Sequence, residues 1–135
     1  MKRLVGILAI LATGFIGAAV VAEEITVKSA PPVVVKTVPE AGAAEVDPKL
    51  GEIKVTFSKE MQDGTWSWGI YTKETFPALD GKPKYLEDKR TCVLPVKLEA
   101  GKTYAIWVNS DKLTNFKDAG GRAAVPFLLV FETKK

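Results

Sequence analysis

The sequence predicts an all-β fold, a Greek-key sandwich of about seven short strands. Three observations predict it: apolar residues recur at a period of two in a succession of short stretches, glycine and proline turn signals separate those stretches, and none follows the 3.6-residue period of an amphipathic helix. The stretch opening at Gly51 is the clearest. There Ile53, Val55 and Phe57 alternate with Lys54 and Thr56, the pattern of a half-buried strand whose apolar face the remaining strands would cover.

The chain has 135 residues, 47% hydrophobic and 26% charged, which fits one globular domain. It opens with Lys2 and Arg3, an apolar run from Leu4 to Val21, and Val20-Val21-Ala22 ahead of Glu23 and Glu24. That three-part order is the pattern of a secretory signal peptide over residues 1–22. The alternative is an uncleaved anchor, since about eighteen apolar residues can span a bilayer, but Gly6, Thr13, Gly14 and Gly17 suit a signal peptidase better. No cysteine near the cleavage point indicates a lipid anchor, and no second long apolar run follows, so no membrane span is expected after cleavage. Residues 23–31 then form a lead-in and residues 32–135 the sandwich domain.

Lys2 and Arg3 account for two of the 19 basic residues, so the rest of the chain is close to charge-balanced against 16 acidic residues. That balance excludes nucleic acid as a partner. The lone cysteine, Cys92, cannot make an internal disulfide, so the core must hold without one. Its alternation with Leu94 and Val96 predicts a buried, inert thiol.

Pro31 and Pro39 bracket the β-branched run of the first strand and mark it as an edge. After Phe57, residues 58–61 are expected to make one capped turn, with Ser58 accepting backbone bonds and Met61 turned inward. Trp66, Trp68 and Ile70 alternate with Ser67, Gly69 and Tyr71, which predicts a strand with the tryptophans and Ile70 on the core face. Residues 72–83 are rich in turn formers, Asp80-Gly81 is a hairpin candidate, residues 84–86 form a short strand and residues 87–90 a tight turn. Cys92, Leu94, Val96 and Leu98 form the next inward face, and Pro95 opposite them points to a free edge nearby.

Leu98, Gly101 and Tyr104 are spaced as in the tyrosine corner of Greek-key sandwiches, with Tyr104 entering the next strand. That strand turns Tyr104, Ile106 and Val108 inward and Trp107 outward. A long turn with Asp118-Ala-Gly-Gly121 follows, and residues 127–131 close the sheet. Short strands with this corner between them make the sandwich Ig-like.

Pro39-x-x-Gly42-Ala, Ile53-x-Val-x-Phe-Ser-x-x-Met61, Leu98-x-x-Gly-x-x-Tyr104 and Asp118-x-x-Gly121, taken in order, resemble the bacterial Ig-like domain named from S-layer proteins, over about residues 32 to 133. The resemblance implies a binding or spacer module on exported proteins. The same Pro-x-x-Gly-Ala entry and the strand ending Phe-Ser are also similar, more distantly, to periplasmic copper carriers of the CopC type. Those carriers hold copper with histidine or methionine, whereas this chain has zero histidines and only Met1 and Met61.

Without histidine there is no Ser-His-Asp or Cys-His arrangement and no usual zinc site. Glu60 with Asp63 and Glu87 with Asp88 are the available carboxylate pairs, and both lie in turns where acidic residues serve as turn formers. Asp111, Asn115 and Asp118 share one loop but lack the spacing of a calcium loop, and an Asx turn accounts for Asp118. The sequence therefore indicates no enzyme, no cofactor and no metal. Two function classes remain: a module for protein interaction or cell-surface structure, or a carbohydrate-binding module that stacks sugars on exposed aromatics. For either, the candidate binding residues are Tyr71, Trp107, Leu128 and Val130, which alternation puts on the outer face of one sheet, unless residues 72–83 fold over it. The partner expected is an exported protein or a cell-surface polymer. Phe57, Met61, Gly101 and Tyr104 are the structural residues.

Overall fold

The computed structural model describes residues 24–135, so the segment that the sequence reads as a signal peptide, residues 1–22, lies outside the described residues. The strands are β1 (Val34–Val38), β2 (Glu52–Phe57), β3 (Trp68–Ile70), β4 (Ala78–Leu79), β5 (Lys84–Tyr85), β6 (Thr91–Lys97), β7 (Thr103–Val108) and β8 (Phe127–Glu132). They form two antiparallel sheets. In one, β1, β2 and β6 lie side by side and β4 and β5 share the far edge of β6; in the other, β7 lies between β3 and β8. This is the four-plus-three arrangement of an Ig-like sandwich once β4 and β5 are counted as one interrupted strand.

The alternation in β2 puts Ile53, Val55 and Phe57 fully out of solvent. Their neighbours divide into two apolar clusters. Near one end, Ile53, Leu94 and Val96 meet Tyr104, Ile106, Leu129 and Phe131 from the opposite sheet. Near the other, Val55, Phe57, Met61 and Cys92 meet Val108, Phe116 and Ala124. Trp68 and Phe127 pack against both clusters and make the core continuous.

Three local expectations fail. Residues 58–61 form no helical turn: Ser58 Oγ does accept a backbone bond, but from Val33 N at 3.0 Å, and Ser58 N donates to Val33 O at 2.9 Å. The serine ties β2 to the start of β1 instead of capping its own turn, although Met61 is buried as expected. Asp80-Gly81 joins no hairpin. Leu79 pairs with Val96 and Tyr85 with Cys92, so both short strands lie on the same edge of β6, and the chain bulges between them. Pro95 is in that gap: its carbonyl accepts Asp80 N at 3.0 Å, and its missing N–H would have faced an edge where no strand runs. Ile70, expected inside, is 63% exposed because β3 ends there, while Ser67 is buried.

The two edges nearest the ends of the chain are handled differently. β1 is an outer strand carrying a bulge between Val34 and Lys36, a device that blunts an open edge. Beyond Pro39 the chain crosses to the other sheet and runs along β8. Gly42 N donates to Val130 O, Glu132 N to Ala43 O, Val46 N to Glu132 O and Lys134 N to Val46 O, at 2.7 to 3.1 Å. The bridge between Val46 and Thr133 is parallel.

Candidate interaction face

The outer face of the β3–β7–β8 sheet is set by its register. Gly69 lies opposite Trp107, Trp107 opposite Leu128, and Ala105 opposite Val130. Trp107 and Leu128 are half-buried, Val130 is 37% exposed, and Tyr71, one residue past β3, is 54% exposed. The Tyr71 ring sits 6.3 Å from the Trp107 ring between centroids, at 58° to it. All four residues thus share one face, with an apolar stripe running from Tyr71 across Trp107 to Leu128.

Residues 72–83 run beside β7 and leave Tyr71 exposed, while Ala105, on the same face as Trp107, is buried. Thr75 O accepts Ala105 N at 3.0 Å, which continues the sheet edge beyond Ile70, and Phe76 packs into the core. Leu113, a residue the strand periodicity could not flag because it lies in an irregular loop, and Trp107 both approach Gly69. A Cβ added at Gly69 would fall 3.1 Å from both Leu113 Cδ1 and Trp107 Cβ, so the missing side chain leaves room for both. Leu113 itself is 42% exposed and extends the stripe. The inclined rings form no flat platform of coplanar aromatics, which is what stacking along a sugar chain requires.

The long connection between β7 and β8 is held by two residues that alternation gave no reason to select. Asn109, fully buried with φ of 58°, adopts the left-handed conformation that asparagine tolerates better than most residues. Its Nδ2 donates to Phe116 O at 3.1 Å and Ala124 O at 3.0 Å, and its Oδ1 accepts Phe116 N at 2.9 Å. Asp118 is almost wholly buried. Its Oδ1 accepts Gly120 N and Arg122 N, as in an Asx turn, and its Oδ2 meets Lys59 Nζ at 2.8 Å. Burial would raise this carboxyl, but the Lys59 ammonium and the backbone N–H groups of Arg122 and Gly120 outweigh it and hold the group below the usual carboxylate range.

The other singled-out residues are structural. Tyr104 is buried, and its hydroxyl accepts Glu99 N at 2.8 Å, so the phenol closes the corner on backbone five residues upstream. Gly101 sits at that corner with φ of +66°, a conformation that side chains rarely adopt. Phe57 packs on Phe116, 5.2 Å between centroids and tilted by 43°. Met61 is in the core. Cys92 is buried, and burial pushes its thiol up to about 12. Among the described residues, no three acidic, cysteine or histidine side chains are grouped to hold a metal, and no helix is long and apolar enough to cross a membrane.

A family described as the bacterial Ig-like domain matches residues 28–133. Comparison with curated protein sequences gives no match. Two solved structures share the sandwich: the crystal structure of the S-layer protein rSbsC(31-844), with a TM-score of 0.50, and the structure of surface layer protein SbsC, domains 1–6, with a TM-score of 0.51. Each is 20% identical over 80% of this chain, and the matched region spans only 14% of each of those chains.

Proposed function

The chain belongs to the bacterial Ig-like domain family, and from that premise we propose that it serves outside the cytoplasm as a non-catalytic module, binding an exported protein or a cell-surface polymer through the outer face of the β3–β7–β8 sheet. The observation that carries this reading is the exposed stripe of Tyr71, Trp107, Leu113, Leu128 and Val130 on a sheet whose other face is core. Contiguous apolar surface of this kind costs solubility unless a partner covers it. The leader supports export, and likeness to domains of S-layer proteins supports a place at the cell surface. The 58° inclination of Tyr71 to Trp107 favours a protein partner over a sugar chain.

The test expresses the full chain in a bacterium, fractionates the cells and weighs the product. A soluble species outside the cytoplasm lacking residues 1–22 is expected. Purified protein is then sedimented with isolated cell envelopes, alongside a Tyr71→Ser, Val130→Lys variant. Those positions are exposed, so the variant should melt within a degree or two of the parent but stay in the supernatant. Equal sedimentation of both would overturn the assignment of the face.

A further inference from the structure

We propose that a cleft at the loop end of the sandwich, sharing no residue with the outer sheet face, docks an extended peptide segment carrying lysine or arginine beside an apolar residue. The cleft lies between residues 60–63, which follow β2, and residues 85–89, which lead from β5 into the turn before β6; Ala119 closes one side. Its volume of about 750 Å³ falls in the range that holds a few residues of peptide or a small ligand.

The lining divides by chemistry. Met61, Tyr85 and Leu86 give an apolar floor, with Leu86 38% exposed and Met61 buried beneath. Glu60, Asp63 and Glu87 stand exposed on the rim, and Lys89 is the lining's only cation. None of the three carboxylates lies within ion-pairing distance of a cation among the described residues. The nearby Arg90 guanidinium is directed elsewhere, to Ser58 O at 3.2 Å.

The cleft lining is therefore negative, with three carboxylates against Lys89 alone. Free carboxylates around an apolar floor complement a cationic side chain next to an aliphatic one. The floor is also firmly held. The Tyr85 hydroxyl donates to Thr65 O at 2.7 Å and Met61 N to Lys89 O at 2.8 Å, so the cleft walls are tied to each other before any partner arrives. Such preorganisation reduces the ordering cost of binding.

The experiment titrates the full chain with two capped pentapeptides, Gly-Lys-Leu-Lys-Gly and Gly-Glu-Leu-Glu-Gly, by calorimetry, and maps the contacts by amide chemical shifts. The basic peptide should bind saturably, shift amides of residues 60–63 and 85–89, and weaken as salt rises. The variant Glu60→Gln, Asp63→Asn, Glu87→Gln changes only exposed side chains; it should keep its melting temperature and bind the basic peptide about tenfold or more weakly, since each rim charge contributes to the same attraction. Binding of the acidic peptide with equal strength, shifts confined to the outer sheet face, or an unchanged dissociation constant in the variant would each overturn the proposal. So would displacement of the basic peptide by millimolar calcium at the same amides, which would make the cleft a cation site. Failure here leaves the reading of the outer sheet face standing, because the two surfaces share no residue.

Discussion

Lys59 Nζ lies 2.8 Å from Asp118 Oδ2, and the same ammonium donates to the carbonyls of Lys28 and Ala30. Two hydrogen bonds to carbonyls and one ion pair thus let a single side chain join the lead-in to the loop between β7 and β8.

Lys59→Met should therefore cost more than a surface ion pair would. It leaves the buried carboxylate of Asp118 with only the half-exposed Arg122 guanidinium, 3.7 Å from Oδ2, as counter-charge, a defect worth about 3 kcal/mol. Urea unfolding measures the loss. The double variant Lys59→Met, Asp118→Leu should recover part of it, because no unpaired charge then remains; a single variant as stable as the parent would show that the pair is energetically idle.

Acid should weaken the fold through the same carboxylate. The folded Asp118 carboxyl is held below its ordinary value of about 3.9, so the unfolded chain takes up a proton first as pH falls. The stabilisation is complete above about pH 4 and is lost as pH drops through the lower folded value. Asp88 adds in the same direction, because the Thr91 hydroxyl and the backbone of Arg90 favour its charged form. In Asp118→Asn the fall in melting temperature between pH 5 and pH 2 should be shallower than in the parent. An identical slope would place the acid sensitivity elsewhere.

Tyr104→Phe should cost about 1 kcal/mol, the net worth of one hydrogen bond, with Glu99 N left to find water at the partly exposed corner. Phe57→Ala should cost about 3 to 5 kcal/mol, because a fully buried ring is replaced by a cavity in a core without a disulfide. Thermal melts of the two variants rank them; the reverse order would mean that the corner, not the core, dominates.

Cys92 should resist alkylation in the folded protein at pH 8. Its thiol is buried and held up at about 12, so almost no thiolate is present and none is accessible. Iodoacetamide should label it only in denaturant. Rapid labelling of the native chain would indicate opening around β6.

The strands with a clean period of two were legible because that period reports burial directly. Ile53, Val55, Phe57, Tyr104 and Ile106 follow it to full burial. The tyrosine corner was legible for a different reason, since it requires particular residues at fixed spacing. Where strands are two or three residues long, period gave way to context: Ile70 is exposed by the end of β3, and β4 and β5 pair with β6 instead of each other. Asn109 and Lys59 had no visible signature, as each acts through carbonyl groups that any sequence supplies. The placement of Leu113 beside Gly69 depends on the path of an irregular loop, which residue pattern does not specify.

Residues 42–46 run parallel to β8, and this gives the domain a mechanical character. A pull on the chain through both ends would draw this early segment and the last strand in opposite directions along their common axis. The four hydrogen bonds between them, from Gly42 to Val130 through Lys134 to Val46, would then carry load together in shear rather than open one after another like a zipper. A module placed in tension at a cell surface would hold its shape until that whole set fails at once. Stretching single molecules should show one abrupt rupture, and replacing Val46 with proline, which removes the N–H that bonds Glu132 O, should lower the force at which it occurs.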